Sequence, residues 1–187
     1  MKELIKSRRT IRKFSQKPIS KELLTSYVEA ARVAPSGANL QPLKYIVVSS
    51  AEMSDKMFPM VKWAGYLAPD YNPADDERPT AYIVVCADTE IRKNGYDMDV
   101  GASCENIILS ALSDGVGACW MAAIDRDGIR ELLEIPENME IPCLVALGYP
   151  KESPKEVGIT TDIKYYLENE TLCVPKRSTG EVLIKTV

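Results

Sequence analysis

Strands alternating with helices along the chain predict, by default, an α/β domain built on a doubly wound parallel sheet. Three observations carry that expectation. The apolar runs AYIVVCA at 81–87 and IPCLVALGYP at 141–150 read as core strands. Two stretches, 20–34 and 98–114, repeat apolar residues at three- and four-residue spacing, the signature of amphipathic helices. The 187 residues, 45% hydrophobic and 27% charged, suffice for one globular domain with its own core.

In chain order, Pro18 and Ser20 supply the start signals of the first long helix. Leu23, Leu24, Tyr27, Val28 and Ala31 form its stripe, and Pro35 and Gly37 stop it. A strand over 44–49 follows, then a helix with Met53, Met57 and Met60 on one face, read as core packing. Residues 63–79, WAGYLAPDYNPADDERP, form a long irregular segment of the kind that often serves as a lid or binding loop. A strand over 80–87 ends it. The helix over 98–114 lines Val100, Cys104, Ile107, Ile108, Ala111 and Leu112 along one face, and Gly115 and Gly117 break it. A strand over 118–123, a small helix capped at Asp125 or Asp127, and the strand over 141–150 complete the core pattern. Residues 151–187 turn charged and turn-rich, too poor in apolar residues to build a core. Their end, EVLIKTV, alternates like a strand in search of a partner, either another subunit or an edge of this sheet.

Several functional classes fall away. No apolar run is long enough to cross a bilayer, and the opening MKELIKSRR has no apolar signal region, so a cytoplasmic, non-membrane protein is expected. The five cysteines are widely spaced without a CxxC pair, and four of them sit in apolar stretches, which reads as buried, reduced thiols. Histidine is absent. That removes Ser-His and Cys-His nucleophile pairs, His-ligated zinc and the imidazole base, and points to a bound cofactor as the reactive group. GVGACW at 115–120 lacks the third glycine of a dinucleotide fingerprint and precedes a strand, so a plain tight turn is the reading there.

Three polar clusters stand outside the core pattern. In RRTIRKF, Arg8, Arg9 and Arg12 with the Thr10 hydroxyl suit a phosphate, a solvated helix end, or a nucleic-acid patch. The acidic pI of about 5.1 and the lack of a continuing basic stripe weigh against nucleic acid. APSGANLQP at 34–42 combines small residues with Ser36, Asn39 and Gln41, and reads either as a ligand loop or as a helix C-cap and turn. PKRS at 175–178 isolates two cations in the tail.

Taken together, RRTIRKF, a helix, APSGANLQP, DVGASCENIILSA, GVGACWMAAID and PKRS follow one another in an order that resembles the FMN-dependent nitroreductase family, over residues 4–182. The resemblance implies a small single-domain member spanning 1–187. Its fold would be α+β, with a mixed, mainly antiparallel sheet flanked by helices, in an intertwined homodimer whose 151–187 tail packs on the partner subunit. That replaces the parallel sheet expected above. It also implies FMN held by Arg8, Arg9 and Thr10 at the phosphate and ribityl chain, with Lys176 and Arg177 reaching the phosphate from the tail. Arg12 would lie near the pyrimidine edge of the ring and stabilise the reduced flavin; no side chain is catalytic, and no metal is expected. Pro35, Ser36, Asn39 and Gln41 match the loop that contacts the flavin of the partner subunit, and the backbone of Met121, Ala122 and Ala123 matches the segment that packs on the ring. Trp63 and Tyr66 would belong to a substrate lid. Two positions depart from the common pattern: Leu43 where Trp often follows Gln-Pro, and Ala122–Ala123 where glycine often follows Trp-Met. The implied reaction is ping-pong hydride transfer from NADH or NADPH to a small nitroaromatic or quinone-like acceptor. Reductive dehalogenation, flavin fragmentation and a flavin carrier or sensor without turnover remain alternatives.

Overall fold

Side-chain caps set where several helices begin. A computed structural model describes residues 1–68 and 70–187; Pro69, within the lid-like segment, lies outside them. After α1 (Lys2–Ser7) and the two-residue β1 (Phe14–Ser15), Ser20 accepts the Leu23 N–H at 3.2 Å and starts α2 (Lys21–Arg32). β2 (Leu43–Val48) leads to α3 (Ala51–Met57), capped by Ser50, and a 3-10 turn at Phe58–Met60. β3 (Ala81–Asp88), α4 (Asp97–Ser113) and β4 (Gly117–Met121) follow. Asp125 accepts the Gly128 N–H at 3.1 Å and opens α5 (Arg126–Leu132), which settles the cap between the two aspartates. β5 (Met139–Pro150) is the longest strand. The rest of the chain supplies β6 (Lys155–Gly158), β7 (Tyr166–Glu168), β8 (Thr171–Lys176) and the one-turn α6 (Thr179–Val182).

Every pairing in the main sheet is antiparallel, against the parallel sheet that the alternation of elements predicts and in accord with the α+β fold. β5 pairs with β3 on one edge and with β4 and β1 on the other, and β2 pairs with β3. The reason lies in the connections. Val48, the end of β2, faces Tyr82 near the start of β3, so α3 and the 61–80 segment return the chain to the end it left. Met121 faces Leu144 in the same way across α5. α4 carries the chain back along the sheet from the end of β3 to the start of β4, over about 25 Å for its length, because Asp88 faces Met139 while Gly117 faces Gly148. β3 and β4 therefore run in the same direction, but β5 lies between them.

Both faces of the central strands are covered. Ile83 and Val85 of β3 with Val145 and Leu147 of β5 pack under α2 and α4, against Leu24, Tyr27, Cys104 and Ile107. Tyr82, Val84, Leu144 and Ala146 face the other way, toward Met57, Trp63 and Ile129. Ile11 and Phe14 close this second core at the β4–β5 edge.

The tail differs from its reading. Residues 155–176 form a three-stranded sheet, β6 parallel and β7 antiparallel to β8, whose Leu172 packs with Ala64 and Tyr71 of the same chain. EVLIKTV is no strand: α6 takes its first two residues, and the rest has no regular structure, with Ile184 and Val187 fully exposed. Alternation over so few residues forms a strand only beside an edge, and among the described residues this segment pairs with none, the outer side of β2 included.

At Gly148, which holds β1 against β5, an added Cβ would lie 2.8 Å from the Phe14 Cβ. Gly148→Ala is expected to cost about 1–3 kcal/mol through overpacking, read as a lower urea midpoint. An unchanged midpoint would contradict this packing.

Candidate active site

Residues 8–13 are not a free basic helix end. Beyond Ser7 the chain runs extended along the sheet edge, where the Ile11 N–H donates to the Ala118 carbonyl at 3.0 Å. The Lys151 N–H donates to the Lys13 carbonyl at 2.9 Å. The Glu152 carboxylate accepts the Arg12 N–H, the Lys13 N–H at 3.1 Å, and the Tyr71 hydroxyl. Burial first, and then that carboxylate, push the Tyr71 hydroxyl well above the ordinary tyrosine range, so it stays a neutral donor. Pinned this way, Arg8, Arg9, Thr10 and Arg12 are half-buried instead of solvated.

Two adjoining cavities meet at this segment. One, of about 130 Å³, is lined by Arg8, Arg9, Thr10 and Arg12 and, from the far end of the chain, by Val174 and Lys176. The other, of about 180 Å³, lies between Arg12, Lys62 and the backbone run Met121, Ala122 and Ala123. Arg12 and Tyr165 line both, with the Arg12 guanidinium 4.7 Å from the Tyr165 ring centroid. Arg177 turns to a neighbouring open hollow that it shares with Lys176. The first cavity fits a phosphate. The Arg9 Nε is buried without a hydrogen-bond partner, while Glu156 pairs with the same guanidinium and Glu105 lies 3.8 Å from the Arg8 Nε. Among the described residues, Arg12 and Lys176 have no carboxylate within ion-pair distance. The Cys119 thiol behind the second cavity is pushed up to about 11 by burial, against the pull of Arg12, so it is not a thiolate nucleophile. All five cysteines are free and buried.

The 34–42 loop is not brought to these cavities within one chain. Pro35, Ser36 and Gln41 line a separate cavity of about 210 Å³ between α2 and the start of α4, and Asn39 is exposed beside it. Ala38, Asn39 and Gln41 all hold positive φ, a costly conformation for residues with a side chain. Asp99, in the first turn of α4, holds the loop in place. It is 4% exposed, accepts the Ser36 hydroxyl at 2.6 Å and the Gly37 N–H at 3.1 Å, and lies 3.6 Å from the Arg92 guanidinium. Ser36 in turn accepts the Gln41 N–H at 2.9 Å. Burial alone would raise the Asp99 carboxyl, but Ser36, Gly37 and Arg92 outweigh it and hold its pKa below the ordinary 3.8. Sequence reading missed this residue; an aspartate two residues after an exposed helix start carries no local sign of burial.

The lid splits. Tyr66 is exposed, and its ring lies 4.9 Å from Tyr165 at the mouth of the second cavity. Trp63, expected in the same lid, is instead buried in the second core, stacked on Phe58 at 5.8 Å. A backbone bridge between Val61 and Ile124 draws this end of the segment inward.

Comparison with known proteins identifies the class. The nitroreductase family model matches residues 5–149. The chain belongs to the nitroreductase family. It is 40% identical over 157 residues to an Archaeoglobus fulgidus protein provisionally named as an NADH dehydrogenase/NAD(P)H nitroreductase, covering 80% of this chain and 85% of that one. The structure of an FMN-dependent nitroreductase from Clostridium difficile R20291 superposes with a TM-score of 0.67 at 28% identity, over 81% of this chain and 88% of the other. An iodotyrosine deiodinase from Haliscomenobacter hydrossis is 28% identical over 78% of this chain and 77% of its own. No helix among the described residues is long and apolar enough to cross a membrane.

Asp99 lends itself to a pH test. Its depressed pKa contributes stability that is present above the ordinary value of 3.8 and is lost as pH falls through the folded-state value. Asp99→Asn is therefore expected to lower stability by about 1–3 kcal/mol at pH 7, with the gap to wild type narrowing toward pH 3. Denaturant midpoints at the two pH values measure this, and a gap that is constant across them would contradict it.

Proposed function

We propose that the chain is an FMN-dependent NAD(P)H oxidoreductase that passes electrons to small nitroaromatic or quinone-like acceptors. The observation that carries this reading is the pair of cavities joined at Arg12, one cationic and one lined by sheet backbone. Arg8, Arg9, Thr10 and Lys176 would hold the phosphate and ribityl chain, with Arg177 beside them. The buried, unpartnered Arg9 Nε is a donor that such a phosphate would satisfy. Met121, Ala122 and Ala123 would form the wall against the ring. FMN held there would supply two-electron chemistry between NAD(P)H and the acceptor. The Arg12 guanidinium, which makes no ion pair among the described residues, would stabilise negative charge that builds up on the ring's pyrimidine edge. Tyr66 would cover the ligand at the mouth of the second cavity. With one cavity for donor and acceptor in turn, parallel double-reciprocal plots follow.

The protein would act as a homodimer. Pro35, Ser36 and Gln41 line a cavity apart from Arg12 and Met121, with Asn39 exposed beside it, so by the family pattern the four would meet the flavin of the second copy. The exposed Leu183, Ile184 and Val187 would find cover on that copy. A monomer mass in sedimentation with flavin bound would overturn this arrangement. The five free, buried thiols fit a cytoplasmic setting; recovery from an extracellular fraction would contradict it. The deiodinase relative supports a second reading, reductive dehalogenation on the same flavin; it would require iodide release from an iodophenol under reducing conditions.

Charge reversal tests the clamp. Arg8→Glu and Lys176→Glu are each expected to fold with unchanged far-UV dichroism and to weaken FMN affinity by at least about tenfold, the loss of one charge-assisted hydrogen bond. Stoichiometric FMN retained by both variants would place the phosphate elsewhere.

A further inference from the structure

The second cavity has an uneven charge balance of which the flavin reading uses only Arg12. Lys62 lines it and makes no ion pair among the described residues. Its position is fixed from the backbone, since its N–H donates to the Ala123 carbonyl at 3.0 Å. Arg12 lines it too, and among the described residues no aspartate or glutamate does. The Glu152 carboxylate, the nearest acidic partner of the Arg12 segment, is held by backbone N–H groups and Tyr71. Two aromatic rings meet at the mouth. Tyr165 comes from the tail and Tyr66 from the lid, 4.9 Å apart, and the Tyr66 N–H donates to the Tyr165 hydroxyl at 3.3 Å. Lys164 stands 5.9 Å from the Tyr66 ring, partly answered by Asp162 at 3.4 Å. All this sits on a protein of net charge -4.

We propose that this mouth selects planar aromatic anions, carboxylates or phenolates, as the electron acceptors of the enzyme, with Lys62 as the residue that reads the charge and Tyr66 and Tyr165 as the faces against which the ring lies. The proposal rests on the flavin-enzyme reading for the word acceptor. It does not follow from that reading, because the phosphate cations Arg8, Arg9 and Lys176 lie in the other cavity. A local excess of positive charge on an acidic protein draws in anions selectively and repels cationic aromatics. The rings supply area and a flat surface, which a small aliphatic anion would not use.

Benzoate and benzamide are isosteric probes that cannot accept electrons, so their binding is separate from turnover. Calorimetry on the purified protein, with flavin content read from the visible spectrum of the same sample, is expected to give benzoate about tenfold tighter binding than benzamide at low salt. That preference should shrink as ionic strength rises. In Lys62→Gln it should fall to within about twofold, and Lys62→Glu should invert it. The exposure of Lys62 makes both variants compatible with the fold. Equal binding of the two probes by wild type, or a preference that survives in Lys62→Gln, overturns the proposal. A sample without flavin that keeps the Lys62-dependent preference leaves the anion site standing and removes the acceptor reading instead.

Discussion

Ile11 is an apolar side chain set within a run of cations, and its burial turns that run into a site. Its N–H is bonded to the Ala118 carbonyl, and its side chain rests where a Cβ at Gly117 would be, 2.8 Å from the Ile11 Cγ1. Like charges so close in sequence would otherwise splay apart into water. Instead the chain is anchored at Ile11 and again at Phe14, and Glu152 caps the backbone between them. Arg8, Arg9 and Arg12 are thereby held half-buried along one edge of the sheet. The cost of gathering cations is offset by Glu105 and Glu156 beside them.

The same edge explains how distant parts of the chain contribute. β5 is long enough to pair with β4 and then with β1, which places the Met121–Ala123 backbone beside the Arg12 segment. Past Pro150 the chain turns to build the small sheet, whose Val174, Lys176 and neighbouring Tyr165 close the cavities from the other side. Two ends of one chain thus meet at Arg12. The third element, the 34–42 loop, is strained, tied to Asp99, and placed elsewhere.

Much of this was legible in the residues, and the failures have physical causes. The helices at Lys21–Arg32 and Asp97–Ser113 were plain, because each buries one stripe and carries its own stop. Strand direction was not. AYIVVCA is apolar throughout because helices cover both faces, a feature more usual in parallel sheets, and nothing local reports that β5 is inserted between β3 and β4. The basic cluster and the isolated pair Lys176 and Arg177 were visible as chemistry, but only the ordered pattern of motifs joined them. Tyr165 and Lys62 went unnoticed: a tyrosine in a charged tail and a lysine beside a tryptophan become informative only when the chain brings them to one cavity. Trp63 misled for the opposite reason. An aromatic in a loop-like stretch reads as a lid, whereas the Val61–Ile124 bridge carries it into the core.

The central claim is that the cavities at Arg12 exist to hold a phosphorylated flavin. The most direct measurement is the visible spectrum of the protein as purified, followed by mass identification of whatever a heat step releases. The account predicts a yellow protein with flavin absorbance near one chromophore per chain and FMN as the released species. A colourless protein that also fails to take up added FMN would contradict it, and would mean that the fold has kept the shape of the family without its cofactor.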